Sequence, residues 1–289
     1  MIDYERGHVL NDAYSLRIPA TARRVLASQI RERQQKDELC GPFWVAAIVA
    51  ALTGRQVSQD EAAIAAGTLL TAGGGLQSDL PPGAASRTDY EQAIRTTPDS
   101  SLAGTSPRGI VRAVSALSAG QVTAIPVCGP WTEEGVGRLA DLVLDQPDTV
   151  AILNVATRYL WNSHASLPDI AGYLDGASPG CAPSEWQVGH YVAIVGSLAS
   201  DYRRVLLCAD TYPSLGAGGV HWQAPDGLAA ALRRPAEPTS GGVIVAVPAA
   251  RETEVRAWAA DVALEVGYWD NGVPDDGQPG QPAAAESSR

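Results

Sequence analysis

Lysine is almost missing from this chain of 289 residues. Lys36 is the only one, and every other basic side chain is an arginine or one of four histidines. Charged residues make up only 18% of the sequence, acids outnumber bases, and the net charge is −11. A field of that sign disfavours nucleic acids and anionic membranes as partners. Long hydrophobic runs are also missing. The longest, FWVAAIVAAL at residues 43–52, falls well short of the roughly 20 apolar residues that a bilayer span needs. The opening MIDYERGHVL mixes acids and bases and has no apolar core of the kind a secretory signal carries. These absences lead to the expectation of a soluble, cytoplasmic protein.

Cysteine is scarce and follows no pairing pattern. Cys40, Cys128, Cys181 and Cys208 are the four, and no two stand in a C-x-x-C arrangement. A zinc site wants close pairs of cysteine or histidine, and a disulfide framework does not suit a cytosolic chain of this size. The triple glycine at 73–75 lacks the G-K-[ST] that a phosphate loop requires, which removes nucleotide binding. Each cysteine therefore has to be judged by its own surroundings.

The pattern that is present divides the chain in two. Residues 20–35, 41–53, a stretch opened by Ser58, a short stretch at 88–96, and 107–117 read as helices. Ser58 is followed by Asp60 and Glu61, acids at the positive end of their helix. Ser106-Pro107 is a capping serine followed by proline at the first helical position. From residue 121 the character changes to β-rich apolar runs at 121–127, 149–155, 190–197, 203–210 and 242–247. Helices are expected at 132–145, 225–233 and 252–266. This gives an α+β fold in one domain, residues 1–270, with a helical lobe at about 1–120 and an antiparallel sheet lobe at about 121–270. The tail 271–289 lacks large apolar residues and is expected to be disordered.

Chemistry concentrates at QQKDELCGPFW, residues 34–44. Cys40 stands where a polar run meets an apolar helix. A thiolate at a helix N-terminus is stabilised by free N–H groups and the helix dipole. Gly41 lets the backbone approach a substrate, and Pro42 is tolerated in the first turn. Trp44 is either core or a substrate contact. Gln34, six residues upstream, offers a side-chain amide beside the Cys40 N–H as a second oxyanion donor; Gln35 takes that role if the helix start is shifted by one.

A cysteine nucleophile needs a base, and the histidines are only His8, His164, His190 and His221. His190 opens a strand and follows Gly189, which removes side-chain bulk beside it. If strands 190–197 and 203–210 pair about a turn centred on Ser200, the numbers of facing residues add to 400, and His190 faces Asp210. That places a carboxylate beside an imidazole, able to hold its tautomer and stabilise its charged form. Trp186, four residues before His190, is a candidate wall of the pocket. Cys128, after a strand, is the rival nucleophile. Cys208 reads as core, and Cys181 as a loop residue that is either incidental or part of the site's lining. His164 reads as a surface residue, and His221 as a strand residue packed beside Trp222.

The glutamine, the C-G-P helix start, the G-H-Y-V-A-I-V-G strand and the following strand ending in aspartate resemble the papain-like cysteine peptidases, in pattern the bacterial C39 type. The resemblance covers about residues 30–55 and 186–215. It implies a papain-like fold, with Cys40 as nucleophile, His190 as base and acid, Asp210 as its orienter and Gln34 as oxyanion donor. Where the C39 type often has Asp-Pro, this chain has Asp210-Thr211-Tyr212-Pro213. The expected activity is hydrolysis of a peptide or amide bond through a thioester, without metal or organic cofactor. The alternatives are a cysteine-dependent acyltransferase, ligase or cyclase acting on a peptide, small amide or thioester in biosynthesis, and a non-catalytic binding module on the same fold.

Overall fold

The computed structural model describes residues 14–74, 79–178 and 181–275. In chain order its elements are β1 (Ser15–Arg17), α1 (Ala20–Glu32), α2 (Cys40–Thr53), α3 (Gln59–Ala66), β2 (Leu70–Thr71), β3 (Thr96–Thr97), α4 (Pro107–Leu117), β4 (Val122–Cys128), α5 (Glu133–Asp145), β5 (Val150–Ala156), α6 (Leu167–Leu174), β6 (Gly189–Ala199), β7 (Arg204–Ala209), β8 (Val220–Gln223), α7 (Pro225–Arg233), β9 (Gly242–Pro248), α8 (Glu252–Asp261) and β10 (Glu265–Val266). The architecture is α+β. An antiparallel sheet runs in the order β10-β4-β9-β5-β6-β7-β8, and β1 adds to β6 outside that path.

Both faces of the sheet are covered, which is why its central strands read as nearly continuous apolar runs. On one face, Val25 of α1, Phe43, Ile48 and Val49 of α2 and Ile110 of α4 pack against Ile152, Tyr191 and Ile244. On the other, Val136 and Leu139 of α5, Leu228 of α7 and Val255 of α8 pack against Leu153, Val192 and Val243. The sheet expected as a lobe of its own is thus the middle layer. The first-half helices form one outer layer, and helices from the second half form the other.

Helix starts follow their capping residues. Ser58 and Glu61 form a reciprocal capping box at α3, and Ser106 Oγ accepts from Gly109 N at α4. The helix expected at 88–96 does not form. Asp37 accepts from Arg87 N, and Asp60 accepts from Glu91 N and Gln92 N. The backbone donors of this segment are thus satisfied by carboxylates from other parts of the chain and not by carbonyls four residues back. The chain from Asn271 to Asp275 packs on the domain, with Asn271 Nδ2 donating to Thr105 O and Asp275 pairing with Arg112. The remainder of the expected disordered tail, 276–289, lies outside the described residues.

Candidate active site

Helix α1 ends abruptly. Arg33 takes a positive φ of 66°, Glu38 takes 62°, and the backbone between them folds into an irregular loop instead of continuing the helix to residue 35. Gln35 N donates to Thr211 O at 3.0 Å, which ties this loop to the chain just past β7. Leu39 then opens α2 without any side-chain cap, so Cys40 is the first helical residue. Pro42 has no N–H to cap, and no side chain competes for the donors of the first turn. Trp44 fixes the helix in place: its indole Nε1 donates to Tyr191 O at 2.7 Å, next to His190 on β6.

The β6–β7 register differs from the one expected from the sequence. Ala193 faces Ala209 and Ile194 faces Cys208, so numbers near the open end add to 402; beyond a bulge between Ile194 and Gly196 they add to 403. Asp210, one step past the last pair, lies diagonal to His190, not opposite it. The even sum still keeps both on one face of the sheet. Without the bulge the sum would stay odd, and Asp210 would point away from His190.

His190 is 2% exposed and its Nε2 lies 3.1 Å from Asp210 Oδ1 and 3.3 Å from Thr211 Oγ1. With Nε2 committed to these oxygens, Nδ1 is the ring nitrogen left for Cys40, which lines the same cleft. Burial pulls the His190 pKa down, but the charge and hydrogen bond of Asp210, reinforced by Cys40, outweigh it and raise the pKa well above the usual histidine value. Burial pushes the Asp210 carboxyl up, and the His190 and His221 rings overcome that and hold it well below the usual carboxylate range. Asp210 Oδ1 also accepts from Tyr212 N at 3.1 Å. The rings of Trp186 and Tyr212 lie beside His190, with centroids at 4.8 Å and 6.0 Å.

Cys40 and His190 open onto one cleft of about 250 Å³, shared with Gln35, Asp37, Glu38, Trp186, Gly189 and Tyr212. Among the residues singled out from the sequence, Cys40, His190, Gly189 and Trp186 line this cleft, and Asp210 stands behind His190. Three others lie elsewhere. Gln34 turns outward, its Nε2 donating to Ala85 O at 2.6 Å. Trp44 is fully buried in the core. A Cβ at Gly41 would meet Thr105 and Ile110, so this glycine lets α2 pack closely against them, and it is not among the residues lining the cleft. Gln35 is the amide in the cleft; its Oε1 accepts from Thr211 Oγ1 at 2.5 Å, and among the described residues nothing accepts from its Nε2.

Cys128 sits on β4 in a separate groove with Tyr268 and Trp269 and no histidine, and burial, helped by the Glu265 charge, raises its pKa. Burial likewise raises the thiol of Cys208. Cys181 packs near Trp161 and Tyr173, away from the cleft. His164 Nε2 meets Ser214 O at 3.1 Å. The sequence assigns Thr211 no role, and His221, read as a strand residue beside Trp222, none at this site. Thr211 follows a predicted strand end and carries no motif, but recognising residues 220–223 as a strand paired to β7 would have brought His221 to Asp210. Among the described residues, no three His, Cys, Asp or Glu side chains group as a metal site requires, and no helix is long and apolar enough to cross a membrane.

Solved structures similar to this chain include a digestive procathepsin L2 proteinase from the larval midgut of Tenebrio molitor, at 12% identity and a TM-score of 0.33, covering 76% of this chain and 65% of that one. A procathepsin L 3 from the same source matches at 16% identity and a TM-score of 0.29, covering 75% and 66%. The match thus spans just under two thirds of the length of either proteinase. No curated protein matches the chain. Residues 19–270 match the model of a family of unknown function (DUF6885), and the chain belongs to that family.

Proposed function

We propose that this protein is a cysteine hydrolase of papain-like type that cleaves a peptide or amide bond through a thioester on Cys40. The observation that carries the reading is that Cys40, at an uncapped helix start, and His190, tethered to Asp210 and Thr211, line the same cleft.

The chemistry follows from the bonds already described. Cys40 Sγ, as thiolate, attacks the carbonyl carbon, and the carbonyl π electrons move onto oxygen. The Cys40 N–H and the Gln35 amide hold that oxyanion; the role assigned to Gln34 from its spacing passes to its neighbour in the cleft. As the intermediate collapses, the C–N bond breaks and the His190 imidazolium gives its Nδ1 proton to the leaving amine. Neutral His190 then takes a proton from water as the water oxygen attacks the thioester. Collapse of the second intermediate releases the acid, and Cys40 leaves as the thiolate beside a re-formed imidazolium. Asp210 holds the ring with its Nε2 proton inward throughout and stabilises its charged state.

Iodoacetamide at pH 6.5 followed by peptide mapping tests this. Cys40 is expected to alkylate at least tenfold faster than Cys181, in keeping with an activated thiolate, and His190→Ala is expected to abolish that advantage. Equal rates at the two cysteines in the wild-type protein would sink the proposal.

A further inference from the structure

The far side of Asp210 holds a second histidine. His221, on β8, is 4% exposed, and its Nε2 lies 3.6 Å from Asp210 Oδ2. Its tautomer can be read from its other neighbour. Gln223 Oε1 accepts from Trp161 N at 2.8 Å, and its Nε2 donates to Trp161 O at 3.0 Å. That double backbone bond fixes which end of the amide is nitrogen. The same Nε2 lies 3.0 Å from His221 Nδ1, so Nδ1 is the acceptor and the ring proton sits on Nε2, the nitrogen facing Asp210.

A buried carboxylate with one oxygen on His190 can turn about its Cα–Cβ–Cγ bonds unless something holds the other oxygen. At 3.6 Å the contact is too long for a hydrogen bond, but it turns the positive end of the imidazole toward the negative oxygen in a dry site. We infer that His221 is a positioning residue: it holds Asp210 from behind, so that Oδ1 stays on His190 and the ring stays aimed at the cleft it shares with Cys40. Gln223, anchored on the Trp161 backbone, keeps His221 in the tautomer that does this. The line of contacts runs from Trp161 through Gln223, His221, Asp210 and His190 to Cys40. The inference rests on the proposed triad and extends it by one residue.

Three substitutions separate this role from simple packing. His221→Gln keeps an N–H donor near the Nε2 position, facing Asp210. His221→Asn keeps a group near Nδ1, facing Gln223, and loses the one facing Asp210. His221→Phe loses both. The readout is the Cys40 iodoacetamide rate at pH 6 relative to pH 9.5, with thermal unfolding recorded for each variant. Losing Asp210's hold on His190 narrows the pH range of the ion pair, and a shift of one pH unit is a change of about tenfold in that ratio. His221→Gln is expected to keep the wild-type ratio, and His221→Asn and His221→Phe are expected to lose about tenfold of it. If His221→Phe does not fold, His221→Asn carries the comparison alone. Wild-type ratios in His221→Asn, or loss in His221→Gln with His221→Asn intact, overturn the inference while leaving the triad standing. A wild-type Cys40 that reacts no faster than Cys181 overturns both.

Discussion

Gln34 and Gln35 show how one residue of offset decides a role. Both are amides just before the nucleophile, but Arg33 and Glu38 take positive φ and turn the loop so that Gln35 faces the cleft and Gln34 faces Ala85. Thr211 Oγ1 holds the oxygen of Gln35 and also touches His190 Nε2, so one hydroxyl links the amide proposed to hold the oxyanion to the proposed base. An oxyanion donor acts on a tetrahedral oxygen, which amide hydrolysis forms and alkylation by iodoacetamide does not. Gln35→Ala is therefore expected to lower turnover of a fluorogenic amide substrate by roughly 10²–10³ while leaving the Cys40 alkylation rate within about twofold of wild type. Gln34→Ala is expected to change neither. A turnover loss confined to Gln34→Ala, with Gln35→Ala at the wild-type level, would return the role to Gln34. That Cys40 and His190 share a cleft with Asp210 behind the ring was legible because helix starts and strand ends leave marks in the sequence. Which of two adjacent glutamines turns inward depends on backbone torsions set by contacts with residues 85, 87 and 211, and no local pattern carries that.

At the scale of elements, the core helices and long strands were legible because apolar periodicity and capping serines agree there. The short β1 and β10 were not, since two or three residues give too little pattern; of β8 only the strand character of His221 showed, and α6 carried no expectation. The His190–Asp210 pairing survived a misplaced turn only because the β6 bulge restores the parity of the hairpin. The loop before Cys40 is held by a neighbouring element. Lys36 Nζ pairs with Asp60 Oδ1 of α3 at 2.9 Å, with side chains 6% and 0% exposed, and Gln59 Oε1 accepts from Lys36 N. Removing the lysine leaves a buried carboxylate without its counter-charge, a loss of about 3–5 kcal/mol. Lys36→Met is expected to show that loss in urea unfolding, and Lys36→Met/Asp60→Asn to recover part of it because no charge remains buried. A loss below about 1 kcal/mol in the single variant would mean that the backbone donors of Glu91 and Gln92 suffice for Asp60.

At the scale of the whole molecule, the charge balance bears on what enters the cleft. The chain carries −11 overall, and Asp37, Glu38 and Asp79 line the cleft, where His190 is the one basic side chain among the described residues. Two of these carboxylates are fixed by short local bonds: Asp37 accepts from Ser86 Oγ and Arg87 N, and Glu38 accepts from Thr71 N and Oγ1. Those donors hold the carboxylates in place without cancelling their charge. In the proposed ion pair the His190 imidazolium is matched by a thiolate on Cys40. An approaching anion therefore meets a net negative field, and salt should relieve it, since the screening length falls from about 10 Å at 0.1 M to about 3 Å at 1 M. Iodoacetate and iodoacetamide differ mainly in charge, which makes their rates at Cys40 a direct probe. The iodoacetate rate is expected to rise between 0.05 and 1 M salt (chosen as roughly a fourfold span in screening length), while the iodoacetamide rate stays flat. An iodoacetate rate that falls with salt would mean that the imidazolium's local attraction outweighs the cleft carboxylates, and that anionic acyl donors are as admissible as neutral ones.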